Sequence, residues 1–440
     1  MTQLFHIKTF GCQMNKHDST SLSQILINEG YGQTESIDDA HIVLVNTCTV
    51  RQKAEEKALT LIGRLSHLKA KKPDLIIGVI GCVAQQSGMD LFTRFPYLDL
   101  VLGPRNIHHV NRFLSQIKEQ RERISSLDLA CELTPFPKCN GYLKGRVTSF
   151  LKIMEGCDNF CAYCIVPFVR GRETSLPAAR VIDQARYLVT QGIKEMTLIG
   201  QNVNSYNVKS RALPTFPGLL KELDTIAGLE RLRFTTSHPK DLSGELIDLF
   251  AGSKSLCPHI HLPVQSGSTK ILRLMNRGYT RDQYVDLIRR LRKTRPDIAI
   301  TSDMVVGFPG ETQEDFEDSL SLIEEVKFDN LFSFKYSERP GIKALQLPGA
   351  IGEKEKQRRL SILQDKQREI TLSKNRLLEG TIQEILVEGP AKRGGGLLTG
   401  RALGNKVVNF PSRADLKGRL VRVKIDKGFQ NSLLGELVDR

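Results

Sequence analysis

Three cysteines lie close together in Met154-Glu-Gly-Cys157-Asp-Asn-Phe-Cys161-Ala-Tyr-Cys164, directly after the apolar run 149–154. Thiolates this near in sequence converge on one soft metal centre, and a tight loop of this kind suits an iron-sulfur cluster or zinc. Three ligands leave one coordination position open. Zinc would need a fourth ligand, and no obvious one stands beside the loop.

A second set is spread along the first hundred residues: Cys12 in Gly11-Cys-Gln-Met-Asn15, Cys48 in Asn46-Thr-Cys-Thr-Val50 and Cys82 in Gly81-Cys-Val-Ala-Gln85. Each falls just past the end of a predicted strand. In a parallel sheet those ends share one edge, where doubly wound folds place their ligands. Three thiols from three strands could cap one cluster, although a lone cysteine is more often a small buried hydrophobe. Cys131, Cys139 and Cys257 belong to no such pattern.

The elements that must position these residues follow from hydrophobic rhythm. Strands are expected at 6–10, 42–46, 75–80 and 100–102, with helices at 18–29, 50–68 and 107–118, which gives a doubly wound parallel-sheet domain over residues 1–122. Residues 123–145, with Pro135, Pro137, Gly141 and Gly145, are expected as a linker. Longer units follow within 146–375: strands at 149–154, 195–199, 231–236, 258–264, 299–306 and 331–336, alternating with helices at 178–191, 216–227, 243–251, 281–293 and 313–326. Six such units suggest a full or partial (β/α)6 TIM-like barrel, with the Cys157 loop on its catalytic face.

Other strand ends on that face are polar or glycine-rich: Gly200-Gln201-Asn202, Gln265 in His261-Leu-Pro-Val-Gln265-Ser-Gly267, Ser302-Asp303, and Gly307-Phe-Pro-Gly310-Glu311. Such residues let backbone approach a small molecule and offer it hydrogen bonds, though turn chemistry explains Gly and Pro equally well. His259 and His261 alternate on one strand and read best as satisfied barrel histidines. A charged helix is expected over 354–378, its polar side solvated and Leu360, Leu363, Ile370 and Leu377 forming a stripe. Residues 376–440 close the chain with five short strands, at 381–387, 397–401, 406–410, 419–425 and 433–438, which suit a small antiparallel β-barrel.

The chain carries 63 Lys and Arg against 49 Asp and Glu, a formal net charge of +14, which points to a polyanionic partner. Lys392, Arg393, Arg401, Lys406, Arg413, Lys417, Arg419, Arg422, Lys424 and Lys427 make the terminal barrel basic, and Phe410 and Phe429 offer stacking surfaces for RNA. A merely solubilising surface is the alternative. No apolar run approaches the roughly 20 residues that span a bilayer, and residues 1–10 lack a signal-peptide core, so a cytoplasmic location is expected. Nine cysteines in a reducing compartment argue for metal, catalytic or buried roles over disulfides.

The spacing Cys157-x-x-x-Cys161-x-x-Cys164, with Tyr163 before the last cysteine, resembles the radical S-adenosylmethionine signature. Together with Cys12, Cys48 and Cys82 upstream and the basic barrel downstream, it resembles the methylthiotransferases, over nearly the whole chain. Thr9-Phe-Gly-Cys-Gln-Met-Asn15, the segment 46–54, Met154-Glu-Gly-Cys157 and Val407-Val-Asn-Phe410 look closest to the branch that methylthiolates N6-isopentenyladenosine in tRNA. Arg339-Pro-Gly-Ile-Lys343 departs from the family pattern, which more often has Thr-Pro after the glycine.

The resemblance implies two [4Fe-4S] clusters, one held by Cys157, Cys161 and Cys164 and one by Cys12, Cys48 and Cys82, with S-adenosylmethionine on the first. It implies a 5′-deoxyadenosyl radical that takes hydrogen from C2 of N6-isopentenyladenosine at position 37, and a methylated sulfur that is then inserted. It also implies a radical SAM barrel and a TRAM-like terminal barrel. Tyr163, Gly200, Gln201, Gln265, Gly307 and Gly310 are the expected S-adenosylmethionine contacts. Expected partners are the anticodon stem-loop of tRNA and an electron donor such as flavodoxin or ferredoxin, the chain itself being a monomer. Branches acting on threonylcarbamoyladenosine or on a ribosomal-protein aspartate, and a non-catalytic iron-sulfur RNA-binding protein, are the alternatives.

Overall fold

Ile42-Val-Leu-Val45 and Ile76 to Ile80 are apolar at almost every position, the pattern of strands covered on both faces. The computed structural model, which describes residues 2–50, 52–134, 137–139, 141–209, 213–392 and 395–438, places them at the centre of a six-stranded sheet. Pro135 and Arg393 lie outside the described residues. The first unit runs β1 (Leu4–Thr9), α1 (Gln13–Asn28), β2 (Gly32–Gln33), β3 (Ile42–Thr47), α2 (Gln52–Lys71), β4 (Ile76–Gly81), α3 (Cys82–Ser87), α4 (Asp90–Arg94), β5 (Leu100–Leu102), α5 (Val110–Gln120) and β6 (Ile124–Ser126).

Every strand pair is parallel, in the order β2-β1-β3-β4-β5-β6. Val43 and Val45 pack on one face against Ile62 and Leu65 of α2, while Ile42 and Leu44 pack on the other with Leu22 of α1 and Leu114 of α5. The sheet is thus doubly wound, as the alternation implied. Its order reverses between β1 and β3, which opens a crevice at their C-terminal ends. Ile124–Ser126, expected within the linker, instead adds the sixth strand, paired with β5.

The second unit contains β7 (Thr148–Lys152), β8 (Met154–Glu155), α6 (Val166–Arg170), β9 (Thr174–Ser175), α7 (Ala178–Thr190), β10 (Glu195–Ile199), α8 (Phe216–Asp224), β11 (Arg231–Phe234), α9 (Gly244–Gly252), β12 (His259–His261), α10 (Thr269–Leu274), α11 (Arg281–Thr294), β13 (Ala299–Val306), α12 (Gln313–Val326), β14 (Asn330–Lys335) and α13 (Glu353–Arg376). Strands β7, β10 and β11 form one parallel run and β12, β13 and β14 another, joined by a parallel bridge from Leu232 to Leu256. This is a partial six-stranded barrel, with β7 and β14 at its open edges.

Helices α11 and α12 start where the sequence provides full capping boxes, Thr280 with Gln283 and Thr312 with Asp315. The strand expected over 149–154 stops at Lys152, and β8 turns off to pair antiparallel with β9. Residues 156–173 therefore form an excursion that is closed at its neck, and this excursion carries the cysteine loop. On α13, Leu363 is buried and Leu360 and Ile370 pack on the core as expected, but Leu377 is 76% exposed. Lys356 and Arg359 are not solvated: both are buried, and Arg359 pairs with Glu311 at 2.8 Å.

The third unit is a closed five-stranded barrel of β15 (Ile382–Pro390), β16 (Leu397–Ala402), β17 (Val407–Pro411), β18 (Leu420–Gly428) and β19 (Leu433–Leu437). All its seams are antiparallel except β17–β19, which is parallel. Phe410, expected to stack on RNA, is fully buried in this barrel's core, because its place on β17 puts it on the inward face with Val408. Phe429 is 42% exposed, with Lys427 Nζ 5.5 Å from its ring centroid.

The third unit docks on the N-terminal ends of the central strands. Arg231 and Arg233, both buried on β11, donate to the carbonyls of Arg401 (2.5 Å), Glu384 (3.0 Å), Leu403 (2.7 Å) and Ala402 (3.0 Å). Lys406 pairs with Asp329 and donates to Asn375, and Arg401 pairs with Glu388. These two cations of the basic set therefore serve the protein itself. Among the described residues no helix is long and apolar enough to cross a membrane.

Arg231→Met is expected to cost about 2–3 kcal/mol, since it removes charge-assisted bonds and leaves buried carbonyls unpaired. Urea unfolding and earlier proteolytic release of the terminal barrel would show it. Two buried histidines give the fold an acid limit. Burial holds His238 down to about 2 and keeps His259 well below the ordinary 6.5. Both stay neutral when folded but take up protons near pH 6.5 when unfolded. Stability should fall as pH drops from about 6.5 toward 4, by up to about 1.4 kcal/mol per pH unit for each. His238→Gln should flatten the pH dependence of the urea midpoint; an unchanged slope would refute the assignment.

Candidate iron-sulfur centres and their setting

Cys12 is the N-cap of α1, Cys48 follows β3, and Cys82 opens α3 directly after β4. The crevice of the first sheet thus gathers them at one edge. Gly11 and Gly81, each with positive φ (116° and 95°), make the approach possible. A Cβ at Gly11 would fall 2.2 Å from Cys48 Cβ and 2.9 Å from its Sγ, and one at Gly81 would fall 2.6 Å from the Thr47 carbonyl oxygen. Asn15 fixes the floor, donating to Asn46 Oδ1 and to the Thr47 carbonyl, both at 2.8 Å.

The three thiols act on one another. A hydrogen bond with Cys48, helped by the Arg170 guanidinium and opposed by burial, draws Cys12 down to about 6. The same bond, together with burial, pushes Cys48 up. Burial also raises Cys82, against the pull of Arg170. Thr49 Oγ1 is buried beside Cys48 without a hydrogen-bond partner.

Cys157, Cys161 and Cys164 lie in the excursion between β8 and β9. The Gly156 N–H donates to Gln201 Oε1 at 2.5 Å and the Cys157 N–H to the Gly171 carbonyl at 3.2 Å, which holds the loop over the ends of β7 and β10. Burial pushes Cys157 up to about 11 and Cys164 up to about 12, so both thiols stay protonated until a cation displaces the proton. Arg277, fully enclosed, donates to Cys161 Sγ and to Tyr163 Oη at 3.4 Å each, while anchored on the Pro263 carbonyl at 2.8 Å and Tyr279 Oη at 3.0 Å.

Among the described residues no three His, Cys, Asp or Glu side chains are gathered to hold a single metal ion. Ligands of a multi-iron cluster stand further apart, because each binds a different iron. Two largely buried all-thiol sets, one of them relieved by Gly11 and Gly81 and with an unpartnered hydroxyl beside it, fit such clusters in donor chemistry.

The two sets meet along one apolar cluster. Cys82 shares this cluster with Ala162, Ile165, Val169, Phe308 and Tyr336, so the edge of the first sheet closes over the barrel mouth. Of the expected S-adenosylmethionine contacts, Tyr163 packs edge-on to Phe308 with ring centroids 6.5 Å apart, and Gly200 abuts Met154. Gln265 is buried with φ 75°. The Gly307 N–H is taken by Glu311 at 2.7 Å, and Gly310 bonds Gly349 at 2.9 Å, toward the chain leading to α13.

Sequence reasoning singled out Asn202 but missed Ser237 and His238 at the next strand end. Asn202 Oδ1, Ser237 Oγ and His238 Nε2 are buried without partners. Asp241 orients the Asn202 amide, and His238 Nδ1 accepts the Lys240 N–H, which leaves Nε2 as the proton-bearing nitrogen. It also missed Arg277 and Arg170. Of the remaining thiols, Cys257 is buried, as expected, Cys139 is buried too, and Cys131 donates to Asn106 Oδ1 at 3.3 Å.

Three family models match successive parts of the chain: the uncharacterized protein family UPF0004 at residues 4–103, the radical SAM superfamily at 151–323 and the TRAM domain at 376–438. Among solved structures, the radical S-adenosylmethionine methyltransferase TsrM from Kitasatospora setae, with cobalamin and a [4Fe-4S] cluster bound, shares the fold with a TM-score of 0.57 at 15% identity, covering 78% of this chain and 74% of that one. The cobalamin-dependent radical enzyme OxsB aligns with a TM-score of 0.54 at 15% identity, over 84% and 56% of the two chains.

The curated relatives include proteins named tRNA-2-methylthio-N(6)-dimethylallyladenosine synthase. That of Syntrophus aciditrophicus is 48% identical over 98% of this chain and 94% of its own length, and that of Geobacter metallireducens is 49% identical over 99% and 98%. With identity at this level running from end to end, through both cysteine sets and the terminal barrel, the chain belongs to the tRNA-2-methylthio-N(6)-dimethylallyladenosine synthase family of radical SAM methylthiotransferases.

Proposed function

We propose that this enzyme methylthiolates C2 of N6-isopentenyladenosine at position 37 of tRNA, with Cys157, Cys161 and Cys164 holding the cluster that binds S-adenosylmethionine and Cys12, Cys48 and Cys82 holding the auxiliary cluster. The observation that carries this reading is the one apolar cluster that Cys82 shares with Ala162 and Ile165, the residues beside Cys161 and Cys164. When bound, the two [4Fe-4S] clusters supply reductive cleavage of S-adenosylmethionine and a sulfur source, chemistry that acid–base side chains cannot provide for an unactivated C–H bond.

The protein's own residues bind and orient. Gln201 fixes the loop backbone at Gly156, and Arg277 holds the Cys161 sulfur and the Tyr163 hydroxyl in one arrangement. Asn202, Ser237 and His238 offer an acceptor, a hydroxyl and an N–H donor at the mouth, where an extruded base and S-adenosylmethionine would meet. Gln265 and Gly307 stand at neighbouring strand ends, and the apolar cluster around Phe308 and Tyr336 keeps water out. An electron donor such as flavodoxin or ferredoxin reduces the enzyme, which works as a cytoplasmic monomer.

Arg413, Lys417, Arg419, Arg422, Lys424 and Lys427 remain exposed on the terminal barrel, with Arg422 and Lys424 on the outer face of β18. They suit the phosphates of the anticodon stem-loop. Deleting the barrel would strip Arg231 and Arg233 of their partners, so point variants are the cleaner probe. Arg422→Ala with Lys424→Ala should weaken tRNA binding and lower the slope of log K against log salt by about 1–2; an unchanged slope would move recognition to the other units.

Anaerobically reconstituted protein should carry about eight irons per chain; four irons would remove the auxiliary site. tRNA from cells lacking the protein should lack the 2-methylthio nucleoside by mass spectrometry and regain it with the intact chain. Cys161→Ala should abolish S-adenosylmethionine cleavage. Cys48→Ala should spare cleavage and lose methylthiolation; methylthiolation retained in that variant would refute the auxiliary role.

A further inference from the structure

Arg170 ends α6, the short helix that follows Cys164, and it is the point where both thiol sets and two units of the fold meet. Its guanidinium donates to Asp18 Oδ2 of α1 at 2.8 Å and to Glu155 Oε1 of β8 at 2.8 Å, while Lys152 Nζ reaches Glu155 Oε2 at 3.0 Å. These four side chains are each between 1% and 3% exposed. Asp18 lies on the helix that Cys12 caps, and Glu155 lies two residues before Cys157. Cys82 packs in one apolar cluster with Val169, the residue before Arg170, and the guanidinium's charge favours the thiolate forms of Cys82 and Cys12 against their burial. Arg105 of the first unit holds the Arg170 backbone, donating to its carbonyl at 3.0 Å and to that of Arg172 at 2.7 Å.

Lys152 and Arg170 balance Asp18 and Glu155 in formal charge, so the network is neutral while the thiols are protonated. A cluster held by Cys12, Cys48 and Cys82 would lie beside the helix that Arg170 ends, in surroundings where burial weakens screening. A fixed positive charge beside a redox centre stabilises its electron-rich state.

We infer that Arg170 is a positioning residue for the auxiliary site: it locks the sheet edge bearing Cys12 and Cys82 onto the Cys157 loop, and its charge raises the reduction potential of the centre those cysteines hold. This rests on the auxiliary-cluster reading given above.

The test uses the full chain with Cys157, Cys161 and Cys164 replaced by Ala, reconstituted anaerobically, with iron counted and the remaining centre titrated by EPR-monitored potentiometry. Arg170→Gln should move the midpoint to more negative values, and Arg170→Lys should restore most of the loss. Asp18→Asn breaks the same ion pair but leaves Lys152 and Arg170 with only Glu155 to balance them, a net positive charge, so its midpoint should move to more positive values. A purely structural ion pair predicts that Arg170→Gln and Asp18→Asn change alike. Equal or same-direction shifts, or none, in protein that retains its iron would overturn the proposal. If Arg170→Gln loses its iron, Asp18→Asn decides alone: an unmoved or more negative midpoint overturns the proposal. A parent chain that binds no iron would instead sink the auxiliary-cluster reading, and this inference with it.

Discussion

Four buried charges, Lys152, Glu155, Arg170 and Asp18, join the first unit to the second where no water screens them. Burying such groups costs several kcal/mol per ion, which is recovered only when every partner is in place. The arrangement is therefore intolerant of small slippage between the units, a useful property for the proposed pairing of two thiol sets around one substrate atom. Apolar contact alone, as between Cys82 and Val169, would resist separation but allow sliding. The directional bonds at Arg170 and Arg105 remove that freedom.

A second constraint acts at the far end of the barrel. Arg231 and Arg233 point from β11 into the terminal barrel and donate to its backbone carbonyls, while Glu384 and Lys406 of that barrel answer with side-chain contacts to Arg231 and to Asp329 and Asn375. Its exposed cations are left to face outward. The first unit is held in addition by Arg339, in the chain after β14, which donates to Glu55 of α2 at 2.5 Å.

Much of this was legible in the chain. Strict cysteine spacing announced the loop at 157–164, and three cysteines at three strand ends announced the other set, because strand periodicity and glycine placement are local signals. Helices α11 and α12 carried their own capping boxes. What could not be read depends on tertiary partners. Arg170 and Arg277 are single arginines in a strongly basic chain, and nothing local separates a buried arginine from a solvated one. Arg231 and Arg233 alternate like the outward face of an edge strand, yet their partner surface arrives some 150 residues later. Phe410 was misplaced because period-2 alternation gives two faces without saying which one is inside.

The placement of the two ends also sets a scale. The terminal barrel sits at the N-terminal ends of the central strands and the thiols at the C-terminal ends, separated by the height of a barrel wall. With β13 eight residues long, that wall is about 20 Å after allowing for strand tilt. A ligand held at both ends must itself reach that far. For a ligand so held the central barrel would be a gauge, and a free nucleoside, however well it fits the mouth, is too short to span it.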